Sequence, residues 1–300
     1  MGTWVWVTII AAVSQSLRTA QQKNLTGSLG EFGASFVRFS YAVPFAWTWL
    51  ISYSYFTNVS LPKINSEFLF WVIVGGLLQI IFTVLLIKLF SLRSFAAGTA
   101  FSKTEVLQAS FFEALIIGTI VSIQVGLGIV IGVMAIILLS IIKSKVTIRN
   151  LLASLKTKQA ILGLASGAFL AICSVAYRVA TDSLEGSDLI ARAGTTLSIS
   201  VTFQTVLMGL WMQRYAVSEL KKTFVEWRSA FLVGFFGALT SFCWFYAFSA
   251  NAVAPVRAVG QIELVIALLI SFSFFKEKPS FKELIAIMLL LFSILLVLFD

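Results

Sequence analysis

The sequence contains no histidine among its 300 residues. Histidine is the usual general base near neutral pH and the commonest metal ligand. Its absence excludes histidine-ligated zinc, a serine–histidine nucleophilic pair and a histidine proton relay. The sequence also lacks a GxxxxGK[ST] nucleotide-binding motif, so ATP-driven pumping has no support. We therefore predict no catalytic residue, no metal site and no cofactor.

Cysteine and charge are scarce as well. The two cysteines, Cys173 and Cys243, both fall in apolar segments, so a disulfide framework is not expected. Charged residues make up 12% of the chain, whereas soluble proteins carry about 25%. Hydrophobic residues make up 59%, and the mean hydropathy is +0.97. This composition indicates that most of the protein surface faces lipid.

The net charge of +9 is interpreted through this membrane context. In a soluble domain such a charge would suggest nucleic-acid binding. Here the basic residues lie mainly between apolar segments, which is typical of loops that face an anionic cytoplasmic leaflet. We expect the lipid bilayer and a small-molecule substrate as partners, no nucleic acid, and a monomer or homodimer.

Long apolar segments follow one another along the whole chain, and they do not alternate with a period of two residues. About 20 apolar residues cross a bilayer as a helix, whose backbone polar groups pair internally. The pattern predicts an all-α integral membrane protein with ten transmembrane helices, arranged as two five-helix inverted repeats. The N-terminal segment is interpreted as the first span because it lacks a basic n-region and a cleavage site. The ten predicted spans are residues 3–21, 33–53, 67–90, 95–118, 121–142, 160–180, 189–212, 228–250, 253–275 and 281–299.

The two halves of the sequence match at an offset of 158 residues. Glu105 corresponds to Glu263 at this offset, so two predicted helices carry a carboxylate at the same depth. Five spans in each half make the second half enter the membrane from the opposite side, which defines an inverted repeat. Chance similarity of apolar helices is the alternative, but it does not readily explain matched glutamates. The predicted domains are a first repeat at 1–143, a basic linker at 144–158 and a second repeat at 159–300.

Both termini are predicted to lie on the same side of the membrane. Lysines and arginines concentrate in the loops of one side, from Lys23 to Lys282, whereas Lys63 and Arg178 belong to the other. The positive-inside rule therefore favours termini on the periplasmic side.

Four stretches are informative about the family: FSKTE (101–105), GALTSFCWFYAF (237–248), RAVGQIE (257–263) and KEKPS (276–280). They resemble EamA-like members of the drug/metabolite transporter superfamily. The resemblance extends over essentially the whole chain and implies two five-helix halves, a multi-pass location in the bacterial inner membrane, and secondary transport. It also implies cytoplasmic termini, which disagrees with the charge pattern and leaves the side of the termini open.

Charged side chains inside the predicted spans are the first candidates for a site, since a charge at the bilayer centre costs roughly 2.5–3.5 kcal/mol even on lenient scales. Arg38 is interpreted either as a cavity residue that holds an anionic group or as a structural arginine. In the structural case it pairs with a carboxylate on the next helix or extends to the membrane interface. Arg192 is interpreted as its counterpart in the second repeat, with a structural role favoured. Structural or coupling charges are also predicted at Arg18, Glu113 and Arg178.

Polar and aromatic residues of the third, fourth, eighth and ninth spans complete the predicted substrate cavity. Helical spacing places Arg257 and Gln261 on one face, and Lys103 is the cationic residue of the matching span. Glu105 and Glu263 are interpreted mainly as packing or charge-balancing carboxylates, with proton transfer as the alternative. The predicted cavity residues are Arg38, Gln79, Lys103, Glu105, Trp244, Tyr246, Arg257, Gln261 and Glu263.

Together these features predict a secondary active transporter, with export as the expected direction. The expected substrate is a small amphipathic metabolite such as an amino acid or a related zwitterion or anion, moved by alternating access around a midplane cavity between the repeats. The alternative is efflux of cationic compounds or drugs by proton exchange. An intramembrane enzyme is less favoured because histidine and an embedded aspartate pair are missing. A channel is less favoured because an inverted repeat supplies two-fold pseudo-symmetry within one chain.

Overall fold

The structure is a computed structural model that describes residues 2–90, 105–144, 158–186, 188–263 and 281–299. Eleven helices lie in these ranges. Within them the β-structure amounts to one isolated bridge, between Lys63 and Glu185. The predicted all-α class is confirmed for this part of the chain.

The helices vary in length from eight to 38 residues. They are α1 (Thr3–Ser40), α2 (Ala42–Thr57), α3 (Ser66–Phe90), α4 (Glu105–Ile117), α5 (Ile123–Ser144), α6 (Lys158–Ser183), α7 (Leu189–Tyr215), α8 (Val217–Val225), α9 (Trp227–Ala250), α10 (Val253–Gly260) and α11 (Phe281–Leu298).

Four of these helices are long and apolar enough to cross a membrane, namely α3, α6, α7 and α9. Shorter apolar segments lie in α5 and α11. All four long helices expose large apolar side chains, such as Phe70, Ile161, Leu210 and Phe231. Such side chains are stable against lipid, where only internally hydrogen-bonded backbone is tolerated. The chain is therefore a multi-pass membrane protein.

Most predicted span boundaries agree with the helices within three residues. The third predicted span, 67–90, is α3, and the eighth, 228–250, is α9. The fourth and ninth predicted spans lie only partly within the described residues. Their described parts are the helix α4 and residues 253–263, which include α10.

The predicted end of the first span at residue 21 is wrong. Helix α1 continues through the polar residues Gln22 and Lys23 and changes direction only at Gly30, whose φ of 77° and ψ of 176° are not helical. The Gln22 side chain donates to the carbonyl of Ala34 over 2.9 Å, although a straight helix would separate these residues by about 18 Å. The chain therefore reverses at Gly30, and α1 consists of two arms.

Helix α8 was predicted as part of a loop, and it anchors the reversal at Gly30. The carboxylate of Glu219 on α8 accepts the backbone N–H groups of Phe32 at 3.0 Å and Gly33 at 2.9 Å. These are first-turn donors of the second arm of α1, which have no partner inside that arm. A carboxylate at such a position is also favoured by the helix dipole.

A second break separates α1 from α2 at Tyr41. Pro44 follows one turn later, so it cannot donate to the Ser40 carbonyl, and its ring crowds that carbonyl. The second arm of α1 and α2 thus form one long segment with a kink.

Glycines allow helices from the two halves of the chain to approach closely. Gly237 on α9 lies against the backbone of Arg38 on α1, and Gly75 on α3 lies under the ring of Tyr177 on α6. On α5, Gly132 lies against Ser293 of α11. Small residues at crossings are typical of helix packing in membranes. These contacts bring α1, α3, α6 and α9 around a common centre.

Replacing Gly30 by alanine is expected to destabilise the protein. A left-handed φ costs a non-glycine residue about 1–2 kcal/mol, and a Cβ here would lie 2.6 Å from the Glu219 carboxylate oxygens. We expect the melting temperature of the detergent-purified protein to fall by several degrees.

The matched control is Gly27→Ala in the same arm, where an added Cβ meets nothing within 4 Å. Alanine is the better helix former, so this change should leave the melting temperature unchanged or raise it. Equal effects of the two substitutions would contradict a requirement for glycine at position 30.

Candidate substrate site

A small cavity lies where α1, α3, α6, α9 and α10 meet. Its volume is about 20 Å³, which is room for roughly one water molecule. This space is too small for a metabolite. The polar and aromatic side chains that line it include Arg38, Gln79, Ser174, Tyr177, Trp244 and Arg257.

Arg257, in the last turn of α10, contacts a hydroxyl, a carboxylate and two aromatic rings. It is 4% exposed, and its Nη2 and Nε donate to the hydroxyl of Ser174 over 2.6 and 3.2 Å. Its Nη1 lies 3.8 Å from the carboxylate of Glu105. The guanidinium carbon also lies 4.4 Å from the ring centre of Trp244 and 5.1 Å from that of Phe248. Arg257 thus presents a charge between an aromatic wall and a loosely held carboxylate.

Trp244 is fixed in position by a chain of hydrogen bonds. Its indole N–H donates to the side-chain oxygen of Gln15 over 3.0 Å, and the Gln15 amide donates to Glu263 over 3.1 Å. Glu263 follows α10 in sequence and does not itself line the cavity. This chain connects α1, α9 and the segment after α10.

Arg38 meets the cavity from the second arm of α1. It is 5% exposed, and its Nη1 donates to the hydroxyl of Thr83 on α3 over 2.7 Å. Among the described residues no carboxylate lies within ion-pair distance of Arg38. The partner of Arg38 is therefore a neutral hydroxyl rather than the carboxylate that the structural interpretation required.

A buried polar network supports the other side of the cavity. The Gln79 side-chain oxygen accepts from Tyr177 at 3.2 Å and from Gln204 at 2.8 Å. Tyr177 also contacts the hydroxyl of Ser200, and Gln204 donates to the carbonyl of Gly76 over 3.1 Å. The network ties α3 to α6 and α7, so Gln79 is held in one orientation.

Two of the predicted cavity residues, Tyr246 and Gln261, lie away from this cavity. The hydroxyl of Tyr246 lies 3.4 Å from that of Thr3 at an exposed position, away from the cavity. Gln261 lines a separate, smaller space with residues of α4, α5, α10 and α11. Lys103 lies outside the described residues.

Arg18 lies deeper than its sequence position suggested. Because α1 continues past the predicted span end, Arg18 falls in the middle of the first arm and is only 2% exposed. It interacts electrostatically with Arg38 and Arg257. Arg18 therefore belongs to the charged centre of the molecule.

Glu113 and Arg178 form a separate buried group toward the far end of α9. The Glu113 carboxylate pairs with Arg178 and accepts the backbone N–H groups of Val253 at 2.8 Å and Ala254 at 3.1 Å. These donors begin α10, so Glu113 acts as its N-terminal cap. This geometry gives Glu113 a structural role.

Arg192 belongs to this end group and not to the cavity. Its Nη1 lies 3.8 Å from Asp182, which also lies 3.7 Å from Arg178. At the 158-residue offset the position equivalent to Arg38 is Thr196, one turn after Arg192. Arg192 therefore does not occupy the place in the structure that Arg38 occupies.

The sequence reasoning missed several cavity residues, including Gln15, Ser174 and Tyr177. Ser174 and Tyr177 are three residues apart and so share one face of α6. Their spacing was the available signal, but serine and tyrosine are common in apolar helices and do not stand out as charges do.

Replacing Glu113 by glutamine is expected to lower stability strongly. Removing one partner of a buried ion pair typically costs about 3–5 kcal/mol, and a glutamine oxygen can satisfy only part of the α10 cap. We expect a large drop in melting temperature in detergent.

Glu67→Gln serves as the control, because Glu67 is exposed in the first turn of α3. Exposed substitutions usually change stability by less than about 0.5 kcal/mol. Similar losses for the two variants would contradict the assigned role of Glu113.

The whole fold is similar to a solved crystal structure. That structure superposes with a TM-score of 0.70 at 15% sequence identity, over 98% of this chain and 96% of the other. At this identity the likeness concerns the fold alone. No curated protein matches the chain.

The second half of the sequence matches a protein-family model. The model of the EamA-like transporter family matches residues 157–299, which include α6, α7, α9 and Arg257 of the cavity. The match indicates a membrane transporter rather than an enzyme. Residues 157–299 are thus similar to the EamA-like transporter family of the drug/metabolite transporter superfamily.

Proposed function

We propose that the protein is a secondary active transporter that exports a small amphipathic metabolite with an anionic group, such as an amino acid or a related zwitterion. The observation that carries this proposal is the pair of buried guanidiniums, Arg38 and Arg257, at one central cavity with an aromatic wall. Guanidinium is the cation best suited to bind a carboxylate through paired N–H groups.

The bonding of Arg257 suits an exchangeable anion. Its closest contact is a neutral hydroxyl, and its distance of 3.8 Å to Glu105 exceeds that of a direct hydrogen bond. A substrate carboxylate can therefore take the place next to Arg257 without first breaking a tight ion pair. Trp244 and Phe248 would contact the apolar part of the substrate.

We further propose that the two halves form an inverted repeat. Under the 158-residue offset, α1 corresponds to α6 and α3 corresponds to α9. The helix pairs follow this exchange, since α1 packs along α9 while α3 packs along α6. Gly76 on α3 contacts α7, and its equivalent, Gly234 on α9, contacts Tyr41 between α1 and α2. Such reciprocal contacts are expected for two related halves.

Two apolar crevices of about 290 and 300 Å³ support the same offset. One lies between α2, α7 and α9, and the other between α1, α3 and α7. Six residues of the first crevice have their 158-residue equivalents in the second. The pairs are Trp49 with Leu207, Leu50 with Met208, Tyr53 with Trp211, Ile190 with Phe32, Leu239 with Ile81, and Phe242 with Val84.

Alternating access is supported by contacts that join the halves at both ends of α9. Glu219 of the second half holds the turn after Gly30, near the start of α9. Glu113 of the first half holds the start of α10, just after the end of α9. A helix of 24 residues separates these contacts by roughly 36 Å. Breaking one contact while keeping the other would open the cavity on one side.

Efflux of cationic compounds by proton exchange is the second candidate. It is favoured by Glu105, which is 3% exposed and lies 3.8 Å from Arg257, a residue that lines the cavity. A buried carboxylate can carry a proton, and an aromatic wall attracts organic cations. In this case Glu105 rather than Arg257 would decide binding.

A ligand-stability screen of the purified protein separates these two candidates. Ligand at a hundredfold excess over its Kd stabilises the folded state by about 2.7 kcal/mol. We expect amino acids or organic acids to raise the melting temperature of the parent protein and to lose this effect in Arg257→Gln.

The control variant is Arg214→Gln, which removes an exposed arginine at the end of α7. It should respond to ligands as the parent does. Stabilisation by lipophilic cations alone, abolished in Glu105→Gln and retained in Arg257→Gln, would overturn the proposal in favour of cation efflux.

The side of the termini can be tested by labelling single introduced cysteines in intact cells. Lys222 on α8 and Lys63 beside Glu185 lie at opposite ends of the helices, and the native Cys173 and Cys243 are buried. The charge pattern predicts that a membrane-impermeant maleimide labels Lys63→Cys and spares Lys222→Cys. The reverse pattern would place the termini in the cytoplasm, as the family resemblance implies.

A further inference from the structure

Arg18 is a buried cation whose hydrogen-bonding capacity is largely unused. It is 2% exposed, and its Nε and Nη1 have no hydrogen-bond partner within the described residues. It lies three residues after Gln15, which lines the central cavity. A guanidinium in such a place normally has its donors satisfied, because a buried unpaired charge is costly.

The surroundings of Arg18 contain more positive than negative charge. Arg38 and Arg257 both repel it, and in the described residues only Arg257 of the three has a carboxylate within 4 Å. Arg38 is held by a hydroxyl. Within the described residues, the centre therefore contains two guanidiniums, Arg18 and Arg38, with no carboxylate within ion-pair distance.

The nearby carboxylates do not relieve this excess. Glu113 is committed to Arg178 and to the start of α10. Glu263 accepts from Gln15, and Glu105 lies next to Arg257. An arrangement of this kind is unfavourable when empty and becomes favourable when an anion enters.

We propose that the cavity binds a small dianion, with one anionic group at Arg257 and Ser174 and the second drawn by Arg18 and Arg38. Dicarboxylates and phosphate monoesters share the required chemistry. The inference rests on the proposed anion transport and narrows its substrate class. Because the cavity is about 20 Å³, the dianion enters when the two halves separate at one end.

The proposal also assigns Arg18 a role in charge selectivity. Arg257, with its hydroxyl partner and aromatic wall, would bind a single carboxylate without help. Arg18 and Arg38 would add affinity only for the second negative charge. The contribution of Arg18 should therefore appear as a difference between ligands and not as a uniform loss of binding.

The test measures binding to the purified full-length protein with ligands matched in size. Malonate, succinate and glutarate are each compared with their monoamides, and glycerol 3-phosphate is compared with glycerol. We expect at least one dicarboxylate to bind the parent at least tenfold more tightly than its monoamide, which differs from it by the second negative charge alone. A preference for the dicarboxylates or for the phosphate ester identifies which source supplies the dianion.

Arg18→Gln is expected to remove most of this preference while binding of the monoamide changes less than twofold. Arg18→Lys keeps the charge and should retain most of the preference, which gives a second readout if the glutamine variant folds poorly. Arg214→Gln should behave as the parent in every comparison.

The inference is overturned if no dianion binds more tightly than its analogue, or if Arg18→Gln weakens dianion and monoamide equally. In either case, binding of monocarboxylates that still depends on Arg257 would leave the proposed function intact. Failure of all carboxylates and phosphates to bind would instead remove the proposed function itself.

Discussion

The packing of this lipid-facing helix bundle depends on how its buried charged side chains are paired. Each such charge must find a partner inside the protein, since lipid offers none. Arg178 forms an ion pair with Glu113, and Arg257 contacts Ser174, Glu105 and two aromatic rings. Arg18 and Arg38 find no carboxylate among the described residues. The incomplete pairing lies where α1, α3, α6, α9 and α10 leave a small cavity, and this coincidence is the physical basis for proposing that the cavity binds a substrate.

Two carboxylates connect the halves through the same kind of contact. Glu113 and Glu219 each accept two backbone N–H groups at the start of a helix segment that belongs to the other half. A helix N-terminus offers free donors and a favourable dipole, so one carboxylate gives a contact that is strong yet can be exchanged for water. Contacts of this kind would suit the proposed separation of the two halves at alternate ends. The buried Tyr177 network, by contrast, joins α3 to α6 and α7 by direct side-chain hydrogen bonds.

The helical class and most helix boundaries could be predicted, since long apolar runs have one stable structure in lipid. The prediction failed where local polarity was misleading. Gln22 and Lys23 suggested a loop, but Gln22 bonds to Ala34 across the reversal at Gly30, and the helix continues. The short helix α8 escaped prediction because its nine residues carry mixed polarity and gain their partner, the turn after Gly30, only from the fold.

Composition alone determined that the chain is a helical membrane protein without histidine chemistry, and the matched Glu105 and Glu263 suggested two related halves. Tertiary structure decided which charges share a site. Arg38 and Arg192 looked equivalent in sequence, yet one faces the cavity and the other pairs with Asp182 at the end of the bundle. Arg18 was predicted near the end of the first span, but in the structure it lies with the buried charges at the centre of the molecule. Charges act over a few ångströms in a medium of low polarity, so their roles depend on distances between helices, which the order of residues along one helix does not specify.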